Sequence, residues 1–329
     1  SFPTRRSSDL VAIVGFDFAE ADIERRMCEN EGHTVRLLDG RAPAFIAEHA
    51  AGAEAIISSY GVFTAEVFAA LAPALRVVSR TGTGYDEIDV AAASKHGVAV
   101  CTVPGYGTEV VSDHAVMLAL ACLRRVNEQD AAIRRGVWDY AATRPLGQAS
   151  GRRFGIVGMG AIGRATARKA AGLGFEAVCW SRSLRPGSRT PEGYKALAFD
   201  ELMATSDVVS LHTALTPETF HLVDERALGL MKHGAIVVNT SRGAVVDTAA
   251  LARALNEGRL WGAGIDVFEG EPVSADDPLL SAPHTVLTPH AAYWSEESGV
   301  ELRERACRAV LDVLSGKRPA DCLNPEVLP

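Results

Sequence analysis

The sequence predicts an α/β protein with two domains, each built on a doubly wound parallel sheet. Short apolar runs alternate along the chain with stretches of helical periodicity, which is the pattern of βαβ units. The alternation occurs as two successive series, and 329 residues suit two domains better than one core. We therefore expect two domains of this kind that face each other across a cleft.

The apolar runs define the expected strands. The first series contains the runs LVAIV, TVRLL, AEAIIS, LRVVS and VAVCT, and the second contains FGIVG, FEAVCW, DVVSLH, AIVVNT, LWGAGID and TVLTPH. Between the two series, the run VVSDHAVMLALACLRRVN predicts one long helix that bridges the domains. After the second series, the amphipathic run SGVELRERACRAVLDVLSG predicts a helix that packs back on the first domain.

These elements divide the chain into a discontinuous first domain and a continuous second one. We expect residues 11–102 and 294–329 to form the first domain, and residues 103–293 to form the second. Residues 1–10, SFPTRRSSDL, are polar and lack the apolar core of a signal peptide. They match the in-frame translation of a common sequencing-adapter oligonucleotide, so we expect them to be a non-native tail.

Composition disfavours several classes of partner. The net charge of −8 argues against nucleic acid or an anionic membrane as the main partner. The longest apolar run, Ala115–Leu123, is too short to cross a bilayer. The six cysteines form no CxxC pair and lie mostly in apolar segments. We therefore interpret them as reduced residues of a cytoplasmic protein that has no metal site.

A glycine pattern lies near the start of the second series. The segment FGIVGMGAIGRATARKAAGLG places Gly158, Gly160 and Gly163 in GxGxxG spacing, between an expected strand and an expected helix. In this context the glycines permit a tight turn, close approach of a pyrophosphate, and close packing of the helix on the strand. The positive end of the helix dipole would also attract the phosphates. The sequence therefore predicts a dinucleotide site.

The residue after the next strand bears on which dinucleotide binds. A carboxylate at this position commonly hydrogen-bonds the adenosine ribose of NAD, but Ser181 occupies it here. Ser181 would not repel a 2′-phosphate, and Arg182 or Arg185 would pair with one. This pattern favours NADP(H) over NAD(H). The alternative is that both arginines are solvated loop residues and NAD(H) still binds.

Three segments follow strands of the second series, at the sheet edge where α/β proteins place their chemistry: VVNTSRGAVVD, GAGIDVFEGEP and TVLTPHAAYWS. Together with the glycine loop, they resemble the D-isomer-specific 2-hydroxyacid dehydrogenase family, and the resemblance runs over about residues 11–324. The segments VPGYGTEVVSDHA and PHAAYWSEES are most similar to the branch of the C-terminal-binding proteins and their bacterial, phosphoglycerate-dehydrogenase-like relatives. The resemblance implies a Rossmann dinucleotide-binding domain and a flavodoxin-like substrate domain.

The resemblance implies a catalytic set of Arg242, Glu271 and His290. Arg242 would hold the substrate carboxylate in fork geometry. His290 would donate the proton, and Glu271 would favour its imidazolium form and fix its orientation. Singly, these residues have the alternative roles of surface arginine, loop acid and turn histidine. Their positions on consecutive strand ends favour chemistry, and we interpret the other histidines, His114 among them, as structural.

The resemblance also implies further binding residues. Thr83, with the backbone of Gly82 and Gly84, would face the nicotinamide and the substrate carboxylate. Asp266 would accept a hydrogen bond from the carboxamide, or it is a turn acid at a strand end. The remaining implied cofactor contacts are Thr213, Thr240 and Ser241 along the adenine and ribose path, and the backbone of Ala161 and Ile162 at the pyrophosphate.

The sequence thus predicts an NAD(P)H-dependent reductase of a small 2-oxo acid, such as glyoxylate or hydroxypyruvate, or a dehydrogenase of the corresponding 2-hydroxy acid. The segment SRTGTGYDE offers only Arg80 to a substrate phosphate, which disfavours a phosphorylated substrate. The alternative function is a dinucleotide-sensing binding protein with little turnover. In either case we expect a homodimer formed through the second domain, around the long helix.

Overall fold

The structure, a computed structural model, describes residues 9–329. The expected non-native tail therefore lies outside the described residues, except for Asp9 and Leu10. Leu10 is the first residue of the first strand, and the Asp9 carbonyl accepts a hydrogen bond of 3.1 Å from the Thr34 N–H. Leu10 thus begins the first strand, and the expectation that residues 1–10 are non-native stays a prediction.

The described residues form twelve strands and eleven α-helices. The strands are β1 (Leu10–Val14), β2 (Thr34–Leu38), β3 (Ala55–Ser58), β4 (Val77–Arg80), β5 (Ala99–Cys101), β6 (Arg153–Val157), β7 (Glu176–Trp180), β8 (Lys195–Ala196), β9 (Val208–Leu211), β10 (Ile236–Asn239), β11 (Gly262–Ile265) and β12 (Thr285–Leu287). The helices are α1 (Asp22–Asn30), α2 (Pro43–His49), α3 (Ala65–Leu71), α4 (Val90–Lys95), α5 (Thr108–Arg124), α6 (Val126–Arg134), α7 (Ala161–Gly172), α8 (Phe199–Thr205), α9 (Glu225–Leu230), α10 (Thr248–Asn256) and α11 (Glu296–Leu314).

These elements belong to two compact units. Unit 1 contains the described residues up to Tyr106 together with Ser295–Pro329, and unit 2 contains Gly107–Trp294. Each unit has one parallel sheet, with five strands in unit 1 and seven in unit 2. The predicted fold class, two α/β domains with parallel sheets, is confirmed.

The sheet of unit 1 has the strand order β2-β1-β3-β4-β5, which is the flavodoxin-like order. Ala12 and Val14 of β1 lie in a core with residues of α2, α3 and α4. Helix α11, although it comes last in the chain, packs against α1 and against β3, β4 and β5. The helix that follows the second series therefore belongs to unit 1 and packs directly on the sheet of that unit.

A buried ion pair joins α11 to α1. Arg303 Nη2 lies 2.6 Å from the carboxylate of Glu24, whose side chain is fully buried, and 2.8 Å from Asp22. The hydrogen bond from Arg303 lowers the pKa of the Asp22 carboxyl. The guanidinium also lies over the rings of Phe16 and Phe18, at 5.6 and 5.1 Å from their centroids. These contacts specify where the last helix docks in unit 1.

The sheet of unit 2 has the strand order β12-β11-β10-β9-β6-β7-β8. This is the Rossmann order with β12 added at one edge, and the order reverses between β6 and β9. The carboxyl ends of the strands at such a reversal form the usual ligand site of an open α/β sheet. Strand β8 is an element that the sequence did not predict.

Helix α5 packs against α7, β10 and β11 within unit 2. The expected single helix VVSDHAVMLALACLRRVN is broken at its end, because α5 stops at Arg124 and α6 starts at Val126. Arg125 between them has a φ of +50°, which is left-handed backbone. Within residues 9–329, no helix has the length and apolar character needed to cross a bilayer.

Candidate active site

The glycine turn joins β6 to α7. Gly158 has a φ of +102°, and a Cβ atom there would collide with the carbonyl of His212. A Cβ atom at Gly163 would collide with the carbonyl oxygen of Gly158, so glycine is needed for the helix to approach the strand this closely. A Cβ atom added at Gly160 would have no atom of the described residues within 4 Å, apart from those of its chain neighbours. The open side of Gly160 therefore leaves backbone accessible to a ligand.

The N-terminus of α7 follows this turn directly. The first hydrogen bond of the helix runs from the Arg164 N–H to the Gly160 carbonyl at 3.0 Å. The N–H groups of Ala161, Ile162 and Gly163 precede that bond, so they point out of the N-terminal end of the helix. Such N–H groups bind phosphate well, because the positive end of the helix dipole adds to their attraction.

A groove of about 170 Å³ lies beside the glycine turn. Its lining brings together the turn and the residues that follow β7 and β9: Gly158, Met159, Gly160, Trp180, Ser181, Arg182, Thr213, Ala214 and Thr219. The hydroxyls of Thr213 and Thr240 are buried, and neither has a hydrogen-bond partner among residues 9–329. Since buried polar atoms are nearly always paired in native proteins, these hydroxyls fit a polar ligand such as a dinucleotide.

Ser181 and Arg182 lie on the rim of this groove, directly after β7. The Ser181 hydroxyl lies 3.3 Å from that of Ser183. Arg182 Nη1 lies 3.9 Å from Glu218 Oε2, and both side chains are 66% exposed. An ion pair this solvated is weak, so Arg182 can turn to another anion. Glu218 precedes the groove residue Thr219 and therefore places a carboxylate beside the groove. The sequence analysis did not identify this residue.

His290 and Glu271 form a close pair in unit 2. Nδ1 of His290 lies 2.6 Å from Oε2 of Glu271, and the other carboxylate oxygen accepts a hydrogen bond of 3.0 Å from the Phe268 N–H. Burial works to raise the pKa of Glu271, but the hydrogen bond and charge of His290, the Phe268 N–H and the charge of Arg242 together lower it. The carboxyl is therefore held in its ionised form beside the imidazole.

Arg242 lies in the loop after β10. The fully buried Asn239 at the end of β10 shapes this loop: its amide nitrogen donates to the Arg242 carbonyl at 2.8 Å, and its amide oxygen accepts from the N–H and the hydroxyl of Ser241. A Cβ atom at Gly243 would collide with the carbonyl group of Phe268, so the glycine lets the two loops touch. The Asn239 contacts, which the sequence did not indicate, thus place Arg242 near the segment that carries Glu271.

Asp266 organises the loop that carries His290. Its fully buried carboxylate accepts hydrogen bonds from the Thr288 hydroxyl at 2.5 Å, from the Ala291 N–H at 2.9 Å and from the Ala292 N–H at 3.0 Å. The Asp266 carbonyl also accepts from the His290 N–H at 2.8 Å. His290 itself has a φ of +51°, a conformation that needs such support. Asp266 therefore holds the turn that positions His290.

His114 of α5 extends this network. Its Nε2 lies 2.9 Å from the Thr288 hydroxyl oxygen and 3.6 Å from the Asp266 carboxylate. Because the Thr288 hydroxyl donates its proton to Asp266, Nε2 of His114 must be the donor in the remaining contact. Burial lowers the pKa of His114, although the Asp266 charge opposes it. His114 therefore supports the loop of His290 through the Thr288 hydroxyl.

Gly82, Thr83 and Gly84 belong to unit 1, whereas the side chains described above belong to unit 2. The Gly82 carbonyl accepts a hydrogen bond of 2.9 Å from the Val103 N–H, and the Thr83 hydroxyl donates to the Val103 carbonyl at 3.2 Å. A Cβ atom at Gly82 would collide with the guanidinium of Arg80. Val103, two residues after β5, thus fixes this loop, and Thr83 remains exposed.

Comparisons with known proteins agree on one family. Residues 116–292 match the family described as "D-isomer specific 2-hydroxyacid dehydrogenase, NAD binding domain". A glyoxylate reductase of Korarchaeum cryptofilum is 44% identical over 267 residues, which cover 80% of each chain. A glyoxylate reductase of Thermococcus litoralis is 40% identical over 263 residues, covering 78% of this chain and 79% of that one. The crystal structure of a glyoxylate reductase from Paecilomyes thermophila has a TM-score of 0.85 at 31% identity, covering 97% of this chain and 99% of that chain.

Together with the parallel sheets and the glycine turn, these matches define an NAD(P)-dependent oxidoreductase. The chain belongs to the D-isomer-specific 2-hydroxyacid dehydrogenase family, and the reaction of this enzyme interconverts a 2-hydroxy acid and a 2-oxo acid. The family prediction made from the motifs is confirmed. The closer similarity to the C-terminal-binding-protein branch stays a prediction.

Proposed function

We propose that the protein is a reductase of glyoxylate, hydroxypyruvate or a similarly small 2-oxo acid. The observation that carries the proposal is the 2.6 Å contact between His290 and Glu271, with the Arg242 charge acting on the same carboxyl. A proton donor, the group that orients it and a cation for a carboxylate are what this reduction requires. The two glyoxylate reductases at 44% and 40% identity support the small substrate.

Each of the three side chains has one role in the proposed reaction. Arg242 binds the substrate carboxylate, because a guanidinium offers two parallel N–H donors to two oxygens. When bound, the reduced nicotinamide supplies hydride to the carbonyl carbon. His290 donates a proton through Nε2 to the carbonyl oxygen as that oxygen becomes an alkoxide. Glu271 holds Nδ1, which fixes the ring and stabilises the imidazolium until the proton leaves.

We propose that the dinucleotide lies along the groove of unit 2. The N–H groups of Ala161, Ile162 and Gly163 would hold the pyrophosphate, because they open on the accessible side of Gly160. The buried, unpaired hydroxyls of Thr213 and Thr240 would gain partners from the cofactor. Ser241 and Asp266 complete the proposed cofactor set. For Asp266, the three hydrogen bonds to its carboxylate favour a positioning role over a direct contact with the carboxamide.

We propose a preference for NADP(H) over NAD(H). Ser181 and Arg182 line the same groove as the glycine turn, so a 2′-phosphate would meet a hydroxyl and a guanidinium there. Glu218 opposes the preference, because its carboxylate would repel that phosphate and competes for Arg182. The balance predicts that both dinucleotides bind, with the phosphorylated one bound more tightly.

For Gly82, Thr83 and Gly84 we propose binding of the substrate carboxylate. The support is the exposed Thr83 side chain on a loop that is fixed by two hydrogen bonds to Val103. A fixed backbone loses little entropy when it binds a small anion.

We propose that the protein forms a homodimer through α5, α6 and the loop that follows. Large apolar side chains are exposed there: Met117 at 43%, Val126 at 49%, Ile133 at 51%, Trp138 at 90% and Tyr140 at 66%. Exposed apolar surface of this kind marks interfaces, and aromatic residues dominate their energetics. Light scattering should give the dimer mass for the wild type and a smaller mass for Trp138→Glu. A wild-type monomer at working concentrations would refute the dimer.

We propose a cytoplasmic location. The cysteines within the described residues are all free thiols, and five of the six are buried. A reducing compartment keeps thiols in this state. Cell fractionation with an antibody against the protein tests the location, and recovery in a secreted fraction would contradict it.

The decisive experiment for the function uses purified protein, NADPH or NADH, and a panel of 2-oxo acids. Loss of nicotinamide absorbance should be fastest with glyoxylate or hydroxypyruvate, and His290→Gln should abolish it while dinucleotide binding persists. Tight dinucleotide binding without turnover of any 2-oxo acid would instead favour the dinucleotide-sensing binding protein. Arg226→Gln serves as a control, since Arg226 of α9 pairs with the exposed Asp200 and has no role in the proposed site, so turnover of the oxo acid should stay intact.

A further inference from the structure

Cys101 and Cys322 face each other at the edge of the sheet in unit 1. Cys101 is the last residue of β5, and Cys322 forms an isolated antiparallel bridge with it. The backbone hydrogen bonds of this ladder lie on either side of the pair: Thr102 N–H to Asp321 O at 3.2 Å, and Leu323 N–H to Val100 O at 2.8 Å. The two cysteines are therefore a non-hydrogen-bonded pair, the kind in which facing side chains lie closest.

The pairing has the geometry that a disulfide needs. The Cα atoms of a non-hydrogen-bonded antiparallel pair lie about 4.5 Å apart, within the range of about 4.4 to 6.8 Å that disulfides span. Burial and then the neighbouring Cys322 raise the pKa of the Cys101 thiol. The register of the pair thus suits a bond between Cys101 and Cys322.

The two thiols differ in exposure. Cys101 is fully buried, whereas Cys322 is partly exposed, so a dissolved oxidant reaches Cys322 first. The Cys322 thiol donates to the side-chain oxygen of Asn324 at 3.5 Å. Asn324 is buried and bound to the backbone of Val98 and Val100, so it holds Cys322 beside Cys101. The difference in exposure indicates that Cys322 reacts with the oxidant first, and its position beside Cys101 indicates that Cys101 reacts second.

We propose that Cys101 and Cys322 are a peroxide-sensitive thiol pair that closes to a reversible disulfide. The Cys322 thiol loses its proton and attacks hydrogen peroxide as the thiolate. The O–O bond breaks, Cys322 becomes a sulfenic acid, and the released hydroxide takes up that proton as water. The Cys101 sulfur then attacks the Cys322 sulfur, the S–O bond breaks, and a second water leaves with the Cys101 proton. Two thiols and one peroxide thus give one disulfide and two waters, with two electrons passed from sulfur to oxygen.

The disulfide would lock the last segment of the chain onto β5. Two residues beyond Cys101, Val103 makes both hydrogen bonds that fix the loop of Gly82 and Thr83. Oxidation therefore adds a covalent tie to the strand that supports this loop. We expect the oxidised protein to unfold at a higher temperature than the reduced protein, because the crosslink restricts the unfolded chain.

The test treats the reduced full-length protein with hydrogen peroxide and maps its peptides by mass spectrometry without reductant. We expect a peptide pair joined through Cys101 and Cys322, a fall from six titratable thiols to four, and full recovery with dithiothreitol. Cys322→Ser should give neither the linked peptides nor the rise in unfolding temperature. Oxidation of Cys322 to sulfinic or sulfonic acid with Cys101 still a thiol, or a disulfide between two chains, would overturn the proposal.

The chain carries its own control in a second thiol pair. Cys28 of α1 and Cys307 of α11 are both fully buried, and these two helices pack against each other. The neighbouring Cys28 raises the pKa of the Cys307 thiol. This pair should stay reduced under the same treatment, because the oxidant does not reach it. Oxidation of Cys28 and Cys307 at the same rate would show that exposure does not decide the reaction.

Discussion

Nδ1 of His290 lies 2.6 Å from Oε2 of Glu271, and this contact sets the pH dependence that we expect for the reaction. Glu271→Gln keeps the shape of the side chain but removes the charge that stabilises the imidazolium. The imidazole then lacks the group that orients Nδ1 and offsets the positive charge of the proton donor. We expect the pH profile of reduction to differ from that of the wild type, and kcat near neutral pH to fall about 10-fold or more.

Steady-state rates across a pH series check this prediction. Glu269→Gln is the matched control, because Glu269 belongs to a second hydrogen-bonded pair of a glutamate and a histidine. Its Oε2 lies 3.1 Å from Nε2 of His221. It should leave the profile in place. An unchanged pH profile in Glu271→Gln would contradict the role given to Glu271.

The same carboxyl predicts how stability depends on pH. The pKa of Glu271 lies below the ordinary 4.5, because the hydrogen bond and charge of His290 outweigh the effect of burial. A carboxyl whose pKa is lowered on folding stabilises the fold above its unfolded pKa, and the contribution is lost as pH falls through the folded value. We expect the difference in unfolding free energy between the wild type and Glu271→Gln to shrink below pH 4.5, as measured by urea denaturation. A difference that grows on acidification would contradict this sign.

Arg242→Lys tests recognition of the substrate carboxylate. A lysine keeps the charge but loses the two parallel donors, so we expect kcat/KM for the oxo acid to fall about 100-fold, or about 2.7 kcal/mol. The affinity for the dinucleotide, measured by fluorescence titration, should stay unchanged. An equal loss in dinucleotide affinity would show that Arg242 supports the cofactor site or the loop fold.

Ser181→Asp tests the cofactor preference. An aspartate on the groove rim would repel a 2′-phosphate and accept hydrogen bonds from an unphosphorylated ribose. We expect kcat/KM to fall about 10-fold or more with NADPH and to change little with NADH. Glu218→Gln should act in the opposite direction, by releasing Arg182 for the phosphate. Wild-type protein that already prefers NADH, with no response to either change, would contradict the proposed preference.

The contact between His114 and Thr288 predicts a coupled effect on stability. His114→Phe or Thr288→Val each leaves a partly buried polar group without its partner, which costs about 1 kcal/mol. Because the two side chains serve the same network, the double variant should lose less than the sum of the single losses, by at least about 0.5 kcal/mol. Chemical denaturation of all four proteins measures the cycle, and strict additivity would rule out the coupling.

A change in kcat distinguishes two roles for His114: positioning the catalytic loop of His290, or only stabilising the fold. If His114 keeps the loop of His290 in place, His114→Phe should lower kcat while KM for the dinucleotide stays near the wild-type value. Leu118→Ala provides the comparison, because Leu118 is a buried residue one turn further along α5 and its loss destabilises without touching Thr288. A similar fall in kcat in both variants would assign His114 a purely structural role.

Most of the fold could be predicted because strands buried on both faces appear as short apolar runs. This held for the strands that frame the site, such as Ile236–Asn239 and Gly262–Ile265. Strand β8 contains only Lys195 and Ala196, so it has no apolar run to reveal it. The break after α5 was missed because Arg125 takes left-handed backbone without a glycine or proline to indicate it.

The site residues that could be predicted stand in local motifs at strand ends, where sequence position alone implies chemistry. Gly158, Arg242 and His290 are of this kind. Asn239 and His114 were missed because their roles depend on tertiary contacts. His114 lies 174 residues from Thr288 in the chain, and only the packing of α5 on the sheet brings them together.

The docking of α11 in unit 1 has a consequence for synthesis of the protein on the ribosome. Leu302, Ala306 and Val310 of this helix are fully buried, so unit 1 lacks part of its interior until residues 296–314 have left the ribosome. Unit 2 is encoded entirely upstream of that point and can fold earlier. The nascent amino-terminal segment therefore keeps its apolar surface for this helix open until α11 has been synthesised.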